Sequence, residues 1–314
     1  MDEHQRDRVV GALLGLFVGD AAGAPSEGGP PDPGRAVPEP APGRWSYTDD
    51  TQMALALAEH LLEADGVDPE RLARRFQARY EPRRGYGYGT RQVLAAWHAG
   101  TPVTEAAGAL FDGGSFGNGA AMRVAPVGAR FHGDPWRVRA EAERASALTH
   151  AHPVGVDGAV VQALAVAEAL REHRFDPQAL AGLGAQAATD RLRQSRRTAS
   201  ALAASAPDAP PGRVAAELGN DSSAQRSVPT ALYLAATAPS FAAGVERALR
   251  VGGDTDTIAA MTGAVLGAAG GLQAIPAPWL EALEDGAHGR SWALALAHRL
   301  ADRAAADPAA ADHE

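Results

Sequence analysis

Apolar residues recur along this chain at helical spacing, and no segment alternates apolar with polar residues as a half-buried strand does. Composition points the same way. Apolar residues make up 46% of the chain but aromatics only 5%, so the interior must be filled by Ala, Leu and Val, which suit close-packed helices better than a sheet. An all-α protein is expected. Helices are predicted over about Asp2–Gly19, Asp50–Glu63, Pro69–Tyr80, Thr90–Ala99, Gly119–Phe131, Pro135–Leu148 and Val154–His173, then near Val228–Ala236, Phe241–Arg250, Thr257–Ala269 and Ser291–Ala306. Asp176–Ala209, rich in Ala, Arg and Gln, reads as one or two surface helices ending at Pro210-Pro211. Ala24–Arg44 is crowded with Pro and Gly and reads as a loop of the kind that carries function when a rigid scaffold holds its ends.

No charged linker or shift of composition divides the 314 residues, so a single domain over 1–306 is expected, with 307–314 as a frayed tail. Val9–Gly19 is apolar enough for a signal-peptide core, but the preceding Asp2, Glu3, Arg6, Asp7 and Arg8 are mixed in sign rather than basic. Ile258–Leu280 carries no charge, yet it is mostly Ala and Gly and is interrupted by Gln273, Pro276 and Pro278, the pattern of a buried core helix rather than a membrane span. A net charge of -9 and a pI near 5.6 argue against a nucleic-acid binder, so a phosphate-bearing ligand has to be met locally. Without Cys the chain has neither disulfides nor thiolate metal sites, which fits the reducing cytoplasm where the protein is expected. Nothing in the pattern specifies an oligomeric state.

The chemistry is concentrated in two acidic segments. Thr48-Asp49-Asp50-Thr51 stands immediately before an apolar periodic helix, and Gly252-Gly253-Asp254-Thr255-Asp256-Thr257 repeats the arrangement before the helix near Ile258. Each is suited to capping free amides at the positive end of a helix dipole, and two separate caps are one explanation. If the segments converge, close carboxylates repel by about 4 kcal/mol per pair at an effective dielectric near 20, and they must take up protons or share cations. The donors are hard oxygens with no Cys or His in either motif, a set that selects Mg²⁺, Mn²⁺ or Ca²⁺ over Zn²⁺ and suffices for two ions.

Gly11-Ala-Leu-Leu-Gly15, Gly19-Asp20-Ala-Ala-Gly23, Thr48-Asp-Asp-Thr51, Gly117-Asn-Gly-Ala-Ala-Met-Arg123 and Gly252-Gly-Asp-Thr-Asp-Thr257 together resemble, in order and spacing over nearly the whole chain, the motif series of the ADP-ribosylglycohydrolases. The resemblance implies a compact orthogonal helical bundle with a centre of two divalent cations, Mg²⁺ or Mn²⁺. Its ligands would be Thr48, Asp49, Asp50, Asp254, Asp256 and Thr257, with Glu27, at the family's usual interval after Asp20, touching a metal. On residues alone Glu27 reads as an exposed loop acid. Hydrolysis at the ribose anomeric carbon is implied, with Glu27, Asp49, Asp50, Asp254 and Asp256 as candidates for proton transfer. The partner expected is an ADP-ribose-bearing protein or polymer.

Gly85-Tyr86-Gly87-Tyr88-Gly89-Thr90 precedes a predicted helix and allows backbone amides to approach a phosphate, although a plain turn reads equally well. Gly113-Gly114-Ser115-Phe116-Gly117-Asn118-Gly119 is a second such run and is also expected to open a helix. Phe116 and Tyr86 are each suited to stack on adenine or to fill the core. His150 and His152 before Pro153 read as caps or structural histidines, and the resemblance assigns His150 to ligand binding. The Gly-Tyr-Gly loop, Gly114–Gly119, and Leu218-Gly-Asn220 followed by Ser227-Val-Pro-Thr230 look most like the branch that cleaves ADP-ribose from serine and from poly(ADP-ribose). The arginine-directed branch is less similar in these loops, Asp221–Arg226 matches no pattern, and some relatives are structural lens proteins.

Overall fold

The computed structural model describes residues 2–307, and the expected tail from 308 onward lies outside them. Among the described residues the elements are helices joined by turns, with isolated bridges in place of strands. In chain order they are α1 (Glu3–Gly23), α2 (Asp49–Glu63), α3 (Pro69–Arg79), α4 (Tyr88–His98), α5 (Val103–Ala109), α6 (Ala125–Arg130), α7 (Pro135–Ala147) and α8 (Pro153–Glu172). They continue as α9 (Pro177–Gly182), α10 (Asp190–Ser205), α11 (Pro211–Glu217), α12 (Ala224–Thr237), α13 (Phe241–Val251), α14 (Thr255–Gly270), α15 (Ala277–Ala282) and α16 (Arg290–Ala305). The all-α class is as the sequence implied.

At the centre α1 and α14 run antiparallel with their backbones in contact. Every fourth residue of α1 along the seam is glycine, and a Cβ built on Gly11, Gly15, Gly19 or Gly23 would lie 2.4, 2.3, 2.1 or 2.5 Å from the carbonyl oxygens of Gly267, Gly263, Ala259 and Thr255. No methyl fits there. Glycine within a helix costs about 1 kcal/mol relative to alanine, which the close contact of two long backbones offsets. This seam corrects the predicted end of α1: Gly19 is a contact position rather than a stop, and the helix runs on to Gly23. α1 is buried from Val9 onward and α14 along most of its length; α16, α6 and α2 pack around α1, and α13, α12 and α8 around α14.

Other boundaries moved for identifiable reasons. Gly119–Phe131 is helical only over Ala125–Arg130, because the stretch before it turns to meet the segment preceding α12, with Asn118 N donating to Ser222 O at 2.9 Å. Pro210-Pro211, read as a stop, also starts α11, since proline at the first helical position gives up only an amide that would be unpaired anyway. The region expected at the surface is partly core: Arg196 is fully buried and donates to the carbonyls of Leu183 and Leu180 (2.5 Å to the latter), closing the end of α9 from inside. Asp307, placed by the sequence in the tail, is buried and paired with Arg130 at 2.7 Å and Arg137 at 3.1 Å. The long loop after α1 is also anchored: Trp45 N donates to Ala282 O at 2.8 Å, and Glu284 accepts from Tyr47 N at 2.9 Å and from Arg84.

Gly15→Ala and Gly263→Ala are each expected to destabilise the protein by roughly 1–3 kcal/mol through forced separation of α1 and α14. Gly108→Ala, in α5 where an added methyl meets open space, is expected to leave the melting temperature unchanged or slightly raised. Thermal unfolding of the three variants beside the parent checks this; equal melting temperatures for all would show that the seam tolerates side chains.

Candidate active site

Because α1 and α14 are antiparallel, the end of the first lies against the start of the second. Gly28 N donates to Gly253 O and Gly253 N to Gly29 O, both at 2.8 Å, which sets the Glu27 loop beside Asp254. Asp20, near the end of α1, is fully buried and organises the start of α2. Its oxygens accept from Thr48 N at 3.0 and 3.1 Å, Thr48 Oγ1 at 2.8 Å, Thr51 N at 3.0 Å and Thr51 Oγ1 at 2.5 Å. Sequence reasoning quoted Asp20 within a motif but gave it no role. A lone carboxylate in an otherwise apolar run was the available signal.

The first turns of α2 and α14 then bring their acids together. Oxygens of Asp20, Asp50 and Asp256 lie within 4.8 Å of one another, as do oxygens of Glu27, Asp254 and Asp256, and Asp256 belongs to both groups. The two distant motifs therefore form one site, with the positive ends of two helix dipoles facing it. Asn118 Nδ2 donates to Asp254 Oδ2 at 2.7 Å and to Ser227 Oγ at 3.0 Å, fixing the Asp254 carboxylate.

The oxygens outnumber their protons. Thr48 Oγ1 lies 2.8 Å from Asp20 Oδ1 and 3.0 Å from Asp50 Oδ2 but has a single hydrogen to donate. Asp50, 2% exposed, also keeps Oδ1 buried without a hydrogen-bond partner. Burial, then the charge of Asp256, pushes the Asp50 carboxyl well above its usual range, and burial followed by Asp254 does the same to Asp256. Asp49 is raised to about 7 by burial and then by Asp20, and Glu27 is raised by burial and then by Asp254. A buried oxygen without a partner, in a set made wholly of carboxylates and hydroxyls, fits a hard divalent cation.

Above the acids opens a cleft of about 260 Å³. Glu27, Asp49, Asp50, Asp254, Asp256 and Thr257 line it, while Thr48 stands behind with its hydroxyl between Asp20 and Asp50. Gly85, Gly87, Ser115, Gly117, Asn118, Gly119 and His150 form other parts of its wall. The expectation for Tyr86 is corrected: alternation along the Gly-Tyr-Gly loop turns its ring inward, where it is buried against Tyr80 at 4.8 Å and its hydroxyl donates to Gln52 Oε1 at 2.7 Å. Gly114 also lies off the wall, in a left-handed turn where a Cβ would come within 2.6 Å of His152 N. The run ending at Gly119 opens no helix, so only the Gly85–Thr90 loop presents a helix start, that of α4.

Phe111 and Ser222 line the cleft and were missed, while Tyr88, Gly89, Thr90 and Met122, quoted within motifs but given no individual role, line it too. Ser222 falls in the unmatched Asp221–Arg226 stretch, and Phe111 stands just ahead of the second glycine run, the signal that could have drawn it in. Tyr88, Phe111 and the 49% exposed Phe116 are, apart from Trp136, the large apolar side chains exposed among the described residues.

The sequence profile described as ADP-ribosylglycohydrolase matches residues 1–310. The chain is 33% identical to ADP-ribosylhydrolase ARH3 of Bos taurus over 328 aligned positions, covering 88% of each chain. It is 33% identical to ARH3 of Homo sapiens over 325 positions, covering 88% of this chain and 89% of that one. A solved structure described as an ADP-ribosylglycohydrolase-related protein complex shares 32% identity and superposes with a TM-score of 0.77 over 96% of this chain and all of that one. Fold, site and similarity define an all-α glycohydrolase. The chain belongs to the ADP-ribosylglycohydrolase family.

A test of the electrostatics follows from the raised carboxyls. Unfolded Asp ionises near 3.8, whereas folded Asp49 does so near 7 and Asp50 and Asp256 stay protonated well above the usual range. At these acids the folded state binds more protons, so in chelator-treated protein their contribution to the unfolding free energy should fall as pH rises from about 4 through about 7, while buried histidines whose pKa is held down, His150 and His132 among them, contribute the opposite slope. Denaturant titrations in EDTA across that interval, on the parent and on an Asp49→Asn, Asp50→Asn, Asp256→Asn variant, isolate the acids: the parent should lose stability relative to the variant as pH rises, and a relative gain would mean that these acids are stabilised as anions.

Proposed function

We propose that the protein hydrolyses the bond between ADP-ribose and a modified target, serine-linked ADP-ribose or poly(ADP-ribose), using two Mg²⁺ or Mn²⁺ ions. The observation that carries this reading is the pair of carboxylate groups sharing Asp256 at the floor of a glycine-walled cleft. Similarity to the ARH3 proteins supports the substrate class. Asp50 and Asp256, with the Thr48 hydroxyl, would hold one ion, and Glu27, Asp254 and Asp256 the other, with Asp49 and Thr257 beside them. When bound, such ions polarise hydroxyl and water oxygens and offset the repulsion among the acids.

The chain's own groups account for the remaining requirements. Gly87 caps α4 without a side-chain hydrogen bond, and the residues of its first turn line the cleft, so free amides there can meet a diphosphate without a basic surface. Tyr88 and Phe111 on the wall, and Phe116 between the cleft-lining Ser115 and Gly117, offer faces for the adenine. Asn118, itself on the cleft wall, holds Asp254 in place. In hydrolysis a water oxygen bonds to the anomeric carbon while the bond to the target oxygen breaks. Asp49, with its carboxyl near 7, and Glu27, raised and exposed at the entrance, are suited to take the water's proton and return one to the leaving oxygen. A cytoplasmic location belongs to the same reading, and the two helices apolar and long enough to cross a membrane, Glu3–Ser26 and Pro153–Glu172, are mostly buried in the bundle.

Purified protein with Mg²⁺ or Mn²⁺ should release ADP-ribose from a serine-linked peptide or from the polymer faster than from an arginine-linked peptide. Asp256→Asn should lower turnover by about 100-fold or more while the protein remains folded. Preference for the arginine linkage would overturn the substrate assignment, and full activity in Asp256→Asn would overturn the site.

A further inference from the structure

Behind the wall of the cleft lies a buried cation to which, among the described residues, no carboxylate is hydrogen-bonded. Arg123 is fully buried, and its guanidinium donates to Gly119 O at 3.0 Å, Ala145 O at 3.0 Å and Thr149 Oγ1 at 2.8 Å. None of these is a carboxylate. Thr149, also buried, lies with Oγ1 2.8 Å from His150 Nδ1. On its other side the imidazole reaches the cleft: Nε2 would lie 3.0 Å from a Cβ on Gly119 and 3.5 Å from one on Gly117, two wall residues whose lack of side chains keeps it uncovered.

A guanidinium cannot serve as an acceptor, so Arg123 always donates to Thr149 Oγ1. One lone pair of that oxygen is thereby committed, and the hydroxyl hydrogen needs an acceptor of its own. Among the described residues the only acceptor shown for it is His150 Nδ1. The opposite tautomer, with Nδ1 protonated, would leave a buried hydroxyl hydrogen with no acceptor, which is unfavourable. The ring is also uncharged at neutral pH, because burial and then the nearby Arg123 charge hold it down to about 3.

We propose that Arg123 and Thr149 are positioning residues that lock His150 in the Nε2–H tautomer, so that the cleft is offered a neutral hydrogen-bond donor for an anionic oxygen of the ligand. Arg123 sets the direction of the Thr149 hydroxyl, Thr149 sets the tautomer, and His150 alone touches the ligand. That the ligand is ADP-ribose rests on the function proposed above. The lock itself does not.

Selective ¹⁵N labelling of histidine followed by long-range ¹H–¹⁵N correlation reads the tautomer in the full chain without any ligand. Wild-type protein should show His150 with Nδ1 unprotonated and Nε2 protonated between pH 6 and pH 8. Thr149→Val, which keeps the shape and removes the hydroxyl, should release that preference and weaken ADP-ribose binding by calorimetry roughly tenfold, the scale on which losing an orienting partner weakens a histidine's ligation. Thr149→Ser, which restores the hydroxyl, should recover both the tautomer and the affinity. An Nδ1–H ring in wild type, or a ring and an affinity unchanged in folded Thr149→Val, would overturn the lock. Wild-type protein that shows the Nε2–H ring but binds no ADP-ribose would support the lock and count against the functional reading alone.

Discussion

The contact on which the rest of this molecule depends is the antiparallel seam between α1 and α14. Glycine at every fourth position of α1, from Gly11 to Gly23, lets the backbone meet that of α14 over Thr255–Gly267, where a single methyl would collide with a carbonyl oxygen. An antiparallel pair in such contact has little freedom to slide, because glycines and opposing carbonyls must stay in register. The end of one helix is thereby held against the opening of the other. Asp20, the Glu27 loop and the Asp254–Asp256 turn owe their proximity to this geometry, and Asp20 in turn fixes the first turn of α2 and with it Asp49 and Asp50.

The consequence is a fold that places mutually repelling acids under an apolar scaffold. Among the described residues nothing cationic pairs with Asp50 or Asp256, whose raised carboxyls reflect burial first and a neighbouring acid second, Asp256 for Asp50 and Asp254 for Asp256. The chain's 29 cationic residues are all arginines, and those that enter the interior do other work. Arg196 and Arg123 donate chiefly to carbonyls, and Arg130 pairs with Asp307. The planar guanidinium, with several donors at set angles, can satisfy two or three buried oxygens at once, which a lysine ammonium does less well. Among the described residues no arginine lines the cleft, so its acids meet no guanidinium there, and an anionic ligand would have to be met by backbone amides and uncharged side chains.

Much of this was legible beforehand, and the parts that were not share a cause. Helical class, the approximate spans of α2, α3, α7, α8, α13 and α16, and the two acidic openings follow from periodicity and capping over a few residues. The errors came where a residue answers to a distant neighbour. Gly19 looks like a stop unless α14 is in view, Arg196 looks solvated unless the carbonyls of Leu180 and Leu183 are in view, and the glycine run to Gly119 looks like a helix opening until Ser222 pairs with Asn118. Tyr86 could be drawn into the cleft or the core on sequence grounds, and the hydroxyl-to-Gln52 bond decides for the core.

By itself, then, the sequence determined an all-helical chain with acids and hydroxyls at two helix starts and glycines flanking a third, because those properties reside in side-chain spacing and in the local demands of helix termini. The tertiary structure decided that the two acidic starts face one another, that Asp20 organises them, that Phe111, Tyr88 and Ser222 join the cleft, and that Arg123 and Thr149 stand behind His150. Each of these is a contact between segments far apart in the chain, set by how helices pack, and no periodicity within one segment encodes which distant backbone it will meet.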